Sequence, residues 1–143
     1  MDLPEEILAM RAGAGDPAAL VGEFRRTAVL VPVADGGLMS GHFGGVRWLY
    51  AFTDEAALAR FALARGAAAT EEWEYRAVLG ARLLDAVVPA LEGPAGVAVD
   101  VADPESSMLF PPVRGIVPDA VAVDGVVDAR AYAHTGAGAG VAL

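Results

Sequence analysis

The stretch Gly44-Gly45-Val46-Arg47-Trp48-Leu49-Tyr50-Ala51-Phe52 constrains the fold more than any other part of the chain. Two adjacent glycines supply the positive φ angles that a two-residue hairpin turn needs. After them the side chains alternate, with Val46, Trp48, Tyr50 and Phe52 on one face of a strand and Arg47, Leu49 and Ala51 on the other. Upstream, Val29, Val31 and Val33 alternate, Asp35-Gly36-Gly37 turns the chain, and Leu38 to Phe43 returns. The expectation is a three-strand antiparallel meander over residues 28–52. One face of such a meander must pack against helices, so core is the better reading for Trp48, Tyr50 and Phe52, and a ligand groove the alternative. Arg47, on the opposite face, points to a solvated side.

Helical signals flank the meander. Pro4 with Glu5 and Glu6 suits a first helical turn that Gly13 would end, and Asp16-Pro17 reads as an N-cap followed by the first residue of a second helix. In that helix Leu20, Val21 and Phe24 share a face. Thr53 or Asp54 caps a third helix that carries Leu58 and Phe61 inward and stops near Gly66. Thr70-Glu71-Glu72 opens a longer fourth, running through Trp73, Ala77, Leu84 and Val87 to a stop before Pro89. Val97, Val99 and Val101 then alternate as a strand, Asp103 to Ser107 is turn chemistry, and Met108 to Phe110 is short and extended. Ala120 to Val127 around Asp124-Gly125 reads as a hairpin, and residues 133–143 as a flexible glycine-rich tail. The fold class expected is α+β: an antiparallel meander within a mixed sheet, flanked by helices, in a single domain over residues 1–132.

Charge and composition narrow the function classes. The net charge is −9, and the ten basic residues are all arginine. Such a field repels phosphate backbones and anionic lipid heads, so neither nucleic acid nor a membrane is the expected partner. With no cysteine, disulfides, thiol catalysis and cysteine-based zinc sites are excluded. Met1 to Glu6 is acidic where a secretory leader is basic, and no apolar run spans a bilayer; the expected compartment is the cytoplasm.

No catalytic constellation is legible. Gly13-Ala14-Gly15 lacks a preceding strand and a third glycine, and Gly136, Gly138 and Gly140 leave too little chain for a helix, so a phosphate-binding loop is not expected. His42 and His134 lack partners at metal-ligand spacing. Ser40, Ser106 and Ser107 have no nucleophile-elbow pattern; turn serines ordinarily bond nearby backbone. Asp100, Asp103 and Glu105 cluster at a strand end and the loop after it, where a cation site or an acid pair is the functional alternative to plain turn chemistry. The candidate interaction or pocket residues are therefore Arg47, Trp48, Tyr50, Asp100 and Asp103, with no catalytic residue, metal or cofactor assigned.

The order of segments resembles the SseB N-terminal domain family. The resemblance is carried by Leu30-Val31-Pro32-Val33, Gly36-Gly37-Leu38, Ala51-Phe52-Thr53-Asp54-Glu55-Ala56-Ala57-Leu58, Gly96-Val97-Ala98-Val99-Asp100-Val101 and Met108-Leu109-Phe110-Pro111-Pro112, within residues 20–113. It implies an α+β domain with a mixed sheet and flanking helices, and it brings no catalytic residues. The expected function is a protein-binding or regulatory module without catalysis, its partner a protein, basic in one version, or a second copy of itself. Two alternatives stand beside it: a small-molecule binder or enzyme with a pocket between sheet and helices, and an acidic inhibitor or immunity-type protein for a basic partner.

Overall fold

A computed structural model describes residues 1–124. Two helices lead, α1 (Leu3–Arg11) and α2 (Pro17–Arg26), capped by the Asp2 and Asp16 side chains. Strands β1 (Ala28–Ala34), β2 (Gly37–Leu38), β3 (Ser40–Phe43) and β4 (Val46–Ala51) follow, then α3 (Glu55–Ala64) with Asp54 as N-cap. Next come β5 (Tyr75–Leu79), a helix α4 over residues 80–90, β6 (Ala95–Val99) and β7 (Met108–Phe110). A 3-10 turn, Asp119–Val121, lies near the end of the described residues.

The structure is α+β, with one antiparallel sheet in the order β2-β1-β5 and one mixed sheet in the order β3-β4-β6-β7. The central pair β4·β6 is parallel, and its neighbours are antiparallel. The meander exists, but its middle strand divides at Met39. Leu38 pairs with Val33 of β1, whereas Ser40 to Phe43 pair with β4. Met39 spans the division: its N–H donates to Pro32 O at 2.8 Å and its carbonyl accepts from Tyr50 N–H at 3.2 Å. Beyond that point β1 bonds directly to the end of β4, through Leu30 N–H to Phe52 O and Phe52 N–H to Leu30 O, both 2.8 Å.

Both faces of the mixed sheet are covered. Val46, Trp48, Tyr50, Phe52 and Ala98 pack against Ala57, Leu58 and Phe61 of α3. Leu49, Ala51, Val97, Val99 and Phe110 pack with Leu3 and Ile7 of α1, Leu20 and Phe24 of α2, and Leu83, Leu84 and Val88 of α4. Arg47 therefore does not mark a solvated side: the face it shares with Leu49 and Ala51 is buried under three helices. Burial on both faces is the usual consequence of a parallel strand pair with helical crossovers.

The fourth helix departs furthest from expectation. Residues 75–79 are a strand, antiparallel to β1 from Ala28↔Leu79 to Pro32↔Tyr75, and the helix begins only at Gly80. The β1 edge supplies hydrogen bonds that override the helical propensity of the Ala- and Leu-containing segment. Nor does the helix stop before Pro89. Gly80–Arg82 is α-helical, Leu83–Val87 is a π-turn in which Val88 N–H donates to Leu83 O, and Val88–Ala90 includes the proline. The widened turn accommodates Pro89, whose ring would clash with the carbonyl four residues back in a regular helix. Ala120 and Val121 lie in the 3-10 turn rather than in a strand, because Val121 N–H turns back to Pro118 O at 3.0 Å. The other half of the expected hairpin, the tail from 133 and His134 lie outside the described residues.

Candidate functional site

The residues singled out from sequence do not converge. Trp48 and Tyr50 are fully buried beneath α3 as core, and the Trp48 indole N–H donates to Phe43 O at 3.3 Å. Arg47 lies at the start of β4, its N–H donating to Pro94 O; its Nε is buried without a hydrogen-bond partner among the described residues. Asp100 and Asp103 lie at the opposite end of the sheet.

There, at the C-terminal end of the parallel pair, the acidic cluster is taken up by internal bonds. Asp100, only 5% exposed and with φ of 51°, accepts from Thr53 N–H at 2.9 Å and from the Thr53 hydroxyl at 2.7 Å. Burial pushes its carboxyl above the usual aspartate range; the Thr53 hydrogen bonds oppose that and the nearby Asp103 and Asp54 charges add to it. Asp103 forms a two-pronged ion pair with Arg60 of α3, at 2.7 and 2.9 Å. Arg11, the last residue of α1, donates to the carbonyls of Pro104 and Ser107 and fastens the same turn. Among the described residues, no three histidine or acidic side chains stand close enough to share a metal ion. This end of the sheet joins β4, β6, α1 and α3.

An open groove of about 370 Å³ lies instead between α3 and the segment that leads into β5. The buried Leu58 and Ala62 of α3 form its floor with the half-buried Trp73, and the exposed Glu55, Ala59, Glu71, Glu72 and Tyr75 form its rim. The α3 spacing follows from the helical period, which brings residues 55, 58, 59 and 62 onto one stripe. Trp73 is fixed from two sides: its indole N–H donates to a Glu71 carboxylate oxygen at 3.0 Å, and its ring meets Phe61 edge-on at 6.0 Å. Partial desolvation and then the Glu55 carboxylate hold the Tyr75 phenol above its ordinary range, so it stays a neutral donor. Arg65, at the C-cap of α3, lies over the Phe61 and Tyr50 rings at 5.2 and 5.7 Å.

This groove is not legible in the sequence, because Thr70-Glu71-Glu72 reads as a helix start that takes in Trp73, whereas residues 71–74 precede a strand. The signal that could have found it is the local composition Glu71-Glu72-Trp73-Glu74-Tyr75, three acids interleaved with two aromatics. Chemically, the site offers three carboxylates over an apolar, aromatic floor, which suits a cation on an aliphatic stem. No family model, no curated protein and no solved structure matches the chain.

Proposed function

We propose that this protein is a non-catalytic protein-binding module whose groove between α3 and residues 71–75 takes a basic segment of its partner. The observation that supports this reading is the rim of Glu55, Glu71 and Glu72 around Trp73 and Tyr75. An arginine or lysine there would lay its stem on Leu58 and Trp73 and present its charge to the carboxylates. The net charge of −9 adds long-range attraction for the same class of partner. The resemblance of the segment order to the SseB N-terminal domain family, which brings no catalytic residues, is part of this proposal. So is a cytoplasmic location; among the described residues no helix is long and apolar enough to cross a membrane.

The test is fluorescence anisotropy with a labelled peptide of alternating arginine and leucine, against a glutamate-for-arginine version of it. The basic peptide should saturate, weaken as salt rises, quench Trp73 and lose affinity on Glu72→Gln or Trp73→Ala. Equal affinity for both peptides, or indifference to these two substitutions, would remove the groove from the binding site.

A further inference from the structure

We propose that a second copy of this chain pairs along the outer edge of β5, making a two-fold symmetric dimer through a continuous antiparallel sheet. The inference starts from the parity of the β1·β5 ladder. Gly80 N–H donates to Thr27 O and Val33 N–H donates to Glu74 O, both at 2.9 Å. In the register Ala28↔Leu79 to Pro32↔Tyr75, those two bonds make the even-numbered residues of β5, Arg76 and Val78, the ones that face β1. The N–H and C=O groups of Tyr75, Ala77 and Leu79 consequently point outward. β5 is the end strand of its sheet, and among the described residues no other strand bonds to that edge.

The same three residues carry the exposed apolar surface. Tyr75 is 37% and Leu79 50% exposed, two of the five large hydrophobic side chains exposed among the described residues, and Ala77 is exposed between them. The strand has no proline, no lysine and no bulge between 75 and 79, and its one charged side chain, Arg76, belongs to a residue whose backbone groups face β1.

The strand is also self-complementary, which points to a second copy rather than an unrelated strand. A two-fold axis at Ala77 sets Ala77 opposite its own counterpart and Tyr75 opposite the second copy's Leu79. All three outward-facing residues then fall on hydrogen-bonded pairs, and each tyrosine ring covers a leucine. The only charged residue of β5, Arg76, falls opposite Val78, so no like charges stand directly across from one another. Because Tyr75 also forms part of the groove rim, the second copy's Leu79 would extend that rim. The pairing does not depend on what the groove binds.

A cysteine trap on the full-length protein tests this, since the chain contains no cysteine of its own. Across a hydrogen-bonded antiparallel pair the Cα atoms are about 5.5 Å apart and the Cβ atoms up to about 5.5 Å, wider than the roughly 3.5–4.5 Å of a disulfide but within reach of a short bifunctional thiol reagent. Ala77→Cys should give a covalent dimer with such a reagent. Leu79→Cys should not, because symmetry places its counterpart about 13 Å away along the strand. Sedimentation should show the parent protein as a dimer and Ala77→Pro as a folded monomer, since that proline removes only an outward-facing donor. A parent protein that is monomeric throughout, or equal cross-linking from both cysteine variants, would overturn the proposal. Peptide binding measured on the Ala77→Pro monomer keeps the two ideas apart: it reads the groove whether or not the edge pairs.

Discussion

Asp100 and Thr53 are joined by two hydrogen bonds across the end of the parallel strand pair, one from the Thr53 N–H and one from its hydroxyl, 2.9 and 2.7 Å long. Thr53 immediately precedes the Asp54 cap of α3, and Asp100 immediately follows β6. The pair thus sets where α3 leaves the sheet, and α3 supplies the floor of the acidic groove. Asp100→Ala would strand the Thr53 N–H and place alanine in a left-handed conformation. It should lower stability by about 1–3 kcal/mol for the stranded donor, with a further cost of roughly 1 kcal/mol for the backbone. A denaturation midpoint equal to that of the parent would show that the link carries no stability.

The same carboxyl gives a pH dependence with a defined sign. Burial raises its folded-state pKa above the unfolded value of about 3.9. The folded state therefore holds the proton more tightly, so this contribution to stability is complete below that value and fades as pH rises through the folded-state pKa. Asp85, lowered by its hydrogen bonds to Arg25, works in the opposite sense, so a single acid titration would mix the two. The stability of the parent minus that of Asp100→Asn isolates the first: this difference should fall as pH rises from about 4, and asparagine can still accept the Thr53 N–H bond. A difference that rises with pH would mean that the Thr53 bonds outweigh burial.

Asp54, Gly66, the Gly44-Gly45 turn and the alternation from Val46 to Phe52 were legible because each is a local signal that the tertiary structure obeys. Gly44 and Gly45 have φ of 62° and 80°, as a primed hairpin turn requires. The β5 assignment failed for the opposite reason. Four of the five residues from Tyr75 to Leu79 are exposed on this edge strand, so no alternation of buried and exposed side chains is written into the segment, and the β1 edge that makes it a strand lies elsewhere in the chain. The groove vanished with it, since its rim depends on residues 71–75 being extended rather than helical. Asp100 and Asp103 are recognisable as a cluster, but only the fold reveals that Thr53 bonds both carboxylate oxygens of the first and Arg60 both of the second.

Gly45 gives a direct test of the turn. Nothing lies within 4 Å of a side chain placed there, so any penalty is conformational rather than steric. Gly45→Val should destabilise by about 1–3 kcal/mol, the cost of holding a β-branched residue at positive φ. Gly37, also open but without a positive φ, is the control: Gly37→Ala should be neutral or mildly stabilising through the unfolded chain. Urea melts of the two variants that coincide would refute the turn assignment.

Gly80 tests the junction that sequence reading missed. It joins β5 to α4, with its N–H donating to Thr27 O, and it packs directly on the backbone of Phe24 in α2. A Cβ at this position would overlap Phe24 O and fall 2.7 Å from the carbonyl carbon, contacts that only movement of the α2 terminus could relieve. Phe24 cannot yield cheaply, because it is fully buried and its ring stacks on Phe110 of β7 at 4.3 Å. Were residues 71–87 one continuous helix, alanine at 80 would instead add helical propensity and stabilise by up to about 1 kcal/mol. The two arrangements thus give opposite signs. Gly80→Ala should destabilise by roughly 1–3 kcal/mol or more, as overpacking of a tight core does. Thermal and urea melts read the sign directly, and a stabilised variant would overturn the β5–α4 junction.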